Sequence, residues 1–259
     1  MTNYPSNLTD NQWNLIKNFL PKSKTGGYER KHLKREMLNA IFYLNKTGCQ
    51  WRYLPANFAP WKSVYSYFRR LCAKNSFEKI NSHLNINIRI KEGRDPKPSL
   101  LCIDSQSVDG DVNLDQKGID GNKKVKGRKR HIVTDVLGLI FFCMITAANV
   151  SDIHPGREFV SQLSENKRLK KVLVDGAYQG ISGDHGNFTV DISSKKPEQK
   201  GFVPIHKRWV VERTFAWLKR QRRLARDYEF DSSHQQSMIY IAMSKIMLNR
   251  LASLNMKTG

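Results

Sequence analysis

The sequence predicts an α/β chain in two parts: helices first, then a mixed sheet flanked by helices. Three observations carry this. Apolar residues recur at helical spacing through the first ninety positions. The stretch KEGRDPKPS, residues 91–99, then breaks the pattern with charge, two prolines and no apolar periodicity. Beyond it, short apolar runs bounded by turn residues read as strands. The expected parts are a helical region at 1–90, a linker at 91–99 and a sheet domain at 100–259.

The first helix is expected over 8–20, LTDNQWNLIKNFL, with Thr9 or Asp10 as N-cap. Trp13, Ile16 and Leu20 lie inward, and Pro21 is its stop. A second fits 33–46, with Met37, Ile41 and Leu44 on one stripe and Gly48 after it. A third fits 62–74, with Val64, Tyr67, Phe68 and Leu71 inward, and a fourth fits 77–90. Such helices with basic outer faces suit a helix-turn-helix-like DNA-binding module, with Arg69, Arg70 and Lys74 on phosphates. They suit equally a small bundle whose charges only solvate it.

After the linker, LLCIDSQSV at 100–108 reads as a strand holding one buried-looking acid, Asp104. Residues 109–124 are polar and glycine-rich, a flexible loop. Strands are expected at 130–136 and 139–146, joined by a tight turn at Leu137-Gly138. A short strand at 171–174 ends at Asp175. A helix is expected at 156–169, a polar loop at 180–204, and further helices at 208–219 and 235–254.

Composition narrows the function. The chain has 259 residues, 39% of them hydrophobic, enough for a real core. Its 44 Lys and Arg against 23 Asp and Glu give +21, which calls for a polyanionic partner. Nucleic acid is the usual one, because phosphate neutralisation releases condensed counterions. A ribosomal or membrane-surface protein competes. The four cysteines include no closely spaced pair, which argues against a zinc site and for a reduced, cytoplasmic protein. The N-terminus lacks a signal-peptide pattern, and the longest apolar run, 137–148, is too short for a membrane helix.

RWVVERTFAWLK, residues 208–219, places Arg208, Glu212 and Lys219 on one helix side at i, i+4 and i+11. Alone, this describes a salt-bridged amphipathic helix. Asp104 and Asp175, each closing an apolar run, alone describe strand-end turn formers. Three converging carboxylates would repel one another unless divalent cations sat between them. Hard oxygen donors suit Mg²⁺ or Mn²⁺, and two such ions about 4 Å apart promote phosphodiester transfer.

The order Asp104, Asp175, Glu212 resembles the DDE triad of bacterial insertion-sequence transposases, and specifically the IS-four/IS-five group. IDSQSV, GRKRHIVTDVLG, TAANVSD, VDGAYQG and RWVVERTFAWL carry the likeness. LTDNQWNLIKNFLP and CQWRYLPANFAPWKSVYSYFRR resemble the group's helical DNA-binding region. The resemblance implies an RNase H-like catalytic fold and a triad that holds two Mg²⁺ ions, with Mn²⁺ as a substitute. It implies cleavage at terminal inverted repeats, strand transfer into target DNA, and a homodimer that joins two ends. Arg208 and Lys219 match the group's Tyr–Arg–Glu–Lys signature and would hold phosphates; Ile205 stands where the Tyr is expected.

The basic run KKVKGRKRH, 123–131, including Lys126, Arg128, Lys129 and Arg130, reads as a DNA-tracking edge or as a solvated edge that discourages strand pairing. His131 is either structural or a neighbour of the metal site, and Asn149 and Asp152 are further candidates to orient it. Two other functions fit the same residues: a DNA-binding remnant without activity, and a nuclease or resolvase that cuts without joining.

Overall fold

The computed structural model describes residues 4–21, 32–111, 113–193 and 209–257. Helices α1 (Asp10–Ile16), α2 (Lys34–Thr47), α3 (Trp61–Ala73) and α4 (Ser76–Lys91) come first. Thr9 caps α1 in a reciprocal capping box with Gln12. Gly48, in the left-handed region at φ +73°, ends α2.

The sheet follows: β1 (Leu100–Asp109), β2 (Gly118–Asp120), β3 (Val125–Asp135), β4 (Ile140–Ala147), β5 (Lys171–Val174), β6 (Gly183–Asp184) and β7 (Thr189–Ile192). Helix α5 (Ile153–Leu163) lies between β4 and β5; α6 (Trp209–Lys219) and α7 (Ser232–Lys257) close the described chain. The strand order is β2-β3-β1-β5-β7-β6, with β4 also on β3. β1 is antiparallel to β3 and parallel to β5, so the expected mixed sheet is present. The expected loop at 109–124 contains β2, and the described part of the loop at 180–204 contains β6 and β7.

Alternation along the strands divides the core. Leu101, Ile103, Val133, Val172 and Val174 face α5 and pack with Phe159 and Tyr178. Cys102 and Ile132 face the other way, into a cluster that takes in α6, α7 and the apolar stripes of α1 to α4. The helical region and the sheet therefore share one core. Buried amides fasten the layers together. Asn81 and Asn85 of α4 both donate to the Ile140 carbonyl of β4, each at 2.7 Å, and Gln236 of α7 donates to Cys143 O at 2.7 Å. Asn45 of α2 donates to Met238 O at 3.0 Å. Arg89 and Asp135 form a buried ion pair under the β3–β4 turn, whose Leu137 and Leu139 amides donate to Asp135 Oδ1.

Candidate functional site

The parallel register pairs Leu100 with Lys171, Leu101 with Val172 and Cys102 with Leu173. Continued by two residues, it sets Asp104, in the middle of β1, beside Asp175, which follows the last residue of β5. Asp104 follows Cys102 by two positions and Asp175 follows Leu173 by two. The period of two puts both acids on the face where Cys102 and Leu173 pack near α6. Both are half-buried. Asp104 Oδ1 accepts from the Ser105 amide at 2.7 Å. Asp175 Oδ1 accepts from the Ala177 amide at 3.0 Å and caps a 3-10 turn, Gly176–Ile181. Asp175 thus also forms the turn that the simpler reading assigned to it.

Helix α6 is held by its inner face. Val211, Phe215 and Leu218 enter the core, and Thr214 donates to Gly138 O at 3.0 Å in the β3–β4 turn. The Arg213 guanidinium lies between the Trp209 and Trp217 rings, at 4.4 and 4.7 Å. Glu212 and Lys219 are exposed on this helix. Arg208 and Ile205 lie outside the described residues. Among the described residues no three His, Cys, Asp or Glu side chains stand close enough together to hold a metal ion. The aligned pair Asp104 and Asp175 nevertheless fits a hard divalent cation: two carboxylates reach solvent at the edge of a shared face.

The expected DNA-tracking edge is corrected in two of its four residues, Arg128 and Arg130. Lys126 is exposed, but Arg128 and Arg130 are fully buried. Arg128 pairs with Asp115 and, at 3.2 Å, with Asp227, and donates to the carbonyls of Asp115, Glu229 and Phe230. Arg130 donates to Leu224 O at 2.7 Å. Lys129 turns inward to Asp152 Oδ1 at 3.2 Å and Val150 O at 2.9 Å. Arg128 and Arg130 satisfy internal acceptors and present no guanidinium to a phosphate, while Lys129, partly buried, is engaged by Asp152 and Val150. Within the later basic stretch, Arg223 is buried against Glu229 and Arg226 pairs with Asp109 at 3.0 Å, while Arg220 and Arg222 stay exposed. Arg69 and Arg70 are exposed on α3. Clefts of about 380 and 520 Å³ flank Arg70, and between them they are lined by Lys34, Lys62, Ser66 and Arg69.

Sequence reasoning missed Tyr178. Its ring is buried in the α5-side core and its hydroxyl pKa is raised, first by burial and then by the carboxylates of Asp152, Asp104 and Asp175. Its place three residues after a strand-end acid was the available signal. His131 is buried, and burial pulls it down to about 4 against the opposing pull of Asp152, so it is neutral near pH 7.

A family model described as a transposase DDE domain matches residues 95–247. A second model, of a family named for IS4/5 transposases, matches residues 8–81. No match was found among curated proteins or solved structures. The four cysteines are free thiols, and no helix among the described residues is long and apolar enough to cross a membrane.

Proposed function

The chain belongs to the transposase DDE-domain family, a family of DNA-cleaving, strand-transferring enzymes that depend on divalent metal, and on that premise we propose that it mobilises an insertion sequence. It binds the element's terminal inverted repeats through the helical region, cleaves at the repeat ends to leave a 3′-hydroxyl, and joins that end to target DNA. Two copies pair two ends in a homodimer, in the cytoplasm where the nucleoid lies.

The observation that supports this most is the alignment of Asp104 with Asp175 on the face that α6 covers. Asp104 and Asp175 would hold Mg²⁺, or Mn²⁺ in its place, and Glu212, exposed on α6, would have to close on them to complete a two-ion site. When bound, those ions supply Lewis acidity toward the phosphodiester oxygens. The rest of the chemistry asked of this chain is positioning. Lys219 and Arg208 hold phosphates. Lys126 contributes from the start of β3, and Arg69 and Arg70 track backbone from α3, where neutralised phosphates add salt-dependent affinity.

The test uses duplexes from the DNA that flanks the gene, with Mg²⁺ and a target plasmid. Wild type is expected to nick and join. Asp104→Asn keeps DNA binding within about twofold and loses cleavage, because it removes a charged ligand and almost no volume. Full cleavage by Asp104→Asn would remove the triad assignment; cutting without joining would make the chain a nuclease.

A further inference from the structure

Behind the two aspartates, on the α5 side of the sheet, three buried polar atoms are left without a hydrogen bond: His131 Nδ1, Asp152 Oδ1 and the Tyr178 hydroxyl. Their surroundings define what is missing. The Thr146 hydroxyl donates to Ala147 O at 3.2 Å, so it accepts from His131 Nε2–H at 2.9 Å. A neutral imidazole with its proton on Nε2 leaves Nδ1 as an acceptor. That acceptor faces another, Asp152 Oδ1, at 3.7 Å. Lys129 lies 3.2 Å from the same oxygen, within ion-pair range but outside hydrogen-bonding geometry. Two buried acceptors side by side call for a donor between them, since each orphan costs about 1–3 kcal/mol. The Tyr178 O–H is the orphan donor nearby, with the Ser105 side chain also close to it.

Each member is tied to an element that carries an acid. The Tyr178 amide donates to Asp175 O at 3.1 Å, inside the turn that Asp175 caps. His131 pairs across the strands with Ser105, the residue after Asp104. Asp152 stands at the head of α5 and caps none of its amides.

We propose that Tyr178, Asp152 and His131 are positioning residues: the Tyr178 hydroxyl, directly or through one water, bridges Asp152 and His131 and so fixes the spacing of Asp104 and Asp175 for metal. The proposal rests on the metal-site reading above. Networks behind metal ligands typically contribute 10–100-fold in affinity.

Mn²⁺ binding to the full chain without DNA, followed by electron paramagnetic resonance, tests it alongside thermal melting. Tyr178→Phe keeps the ring in the core. It is expected to stay folded, with a melting temperature a few degrees lower because the acceptors lose their donor, and to bind Mn²⁺ about tenfold more weakly. Asp152→Ala weakens binding similarly. Asp152→Asn recovers most of it, because an amide can donate to Nδ1 and still accept from the hydroxyl. If Tyr178→Phe matches wild type while Asp104→Asn loses Mn²⁺, the positioning network is wrong and the metal site stands. If wild type itself binds no Mn²⁺, the metal site falls and the network's role falls with it.

Discussion

Arg128 is the residue whose loss the molecule would feel most among the basic run. Its guanidinium is enclosed by Asp115, Asp227 and three backbone carbonyls, so Arg128→Ala strands the 99%-buried Asp227 side chain without this partner. Breaking a buried pair on one side costs about 3–5 kcal/mol. Urea denaturation should show a loss of that size, and a loss under about 1 kcal/mol would return Arg128 to the surface reading. The sequence could not separate Arg128 from Lys126. Both sit on β3 among charges, where alternation has no apolar partner to mark the inward face, and the acids that hold Arg128 lie 13 and 99 positions away. Asp104 and Asp175 were legible because each ends an apolar run. Tyr178 was not, since a tyrosine in a turn looks like any core aromatic until its burial and neighbours are known.

Among elements, α6 depends on a turn that it does not itself contain. Gly138 has φ +80°, and a Cβ there would lie 2.8 Å from Trp217 and 2.9 Å from Thr214 Oγ1. Gly138→Ala therefore strains the backbone and pushes against the face that seats α6, for an expected cost of about 1–3 kcal/mol. Gly93 has φ +67° with nothing within 4 Å, so Gly93→Ala carries the backbone strain alone. Thermal melts should show Gly138→Ala several degrees below Gly93→Ala; equal melting temperatures would mean that α6 is not held by this contact. The long elements were readable from period and stop signals: α2 to α4, β1 and α7 fall within a few residues of expectation, and the four-residue β5 was marked by its apolar run ending at Asp175. β2, β6 and β7 were not, because strands of two to four residues leave too few alternations to register against loop composition. The helix expected from 156 begins at Ile153, since Pro155 is tolerated in a first turn that lacks intrahelical donors anyway.

Over the whole molecule, the charged linker at 91–99 suggested two separable parts, yet one apolar cluster runs from Leu8 through α7 to Ile140 on the sheet. Linker composition reports local chain character and says nothing of what the flanking elements pack against. A shared core predicts a single unfolding transition, with near-ultraviolet tryptophan signal and far-ultraviolet helix signal lost together in urea. Two resolved transitions would show that the helical region holds itself together. The seat of that region is α7, 26 residues long and buried on every side from Met238 to Met243. This position has a consequence for synthesis. Helices α1 to α4 leave the ribosome long before the element that covers their apolar stripes, so the growing chain must carry them uncovered until α7 emerges. A message cut short before residue 232 would yield a chain that exposes those stripes to chaperones or proteases, with no lasting fragment.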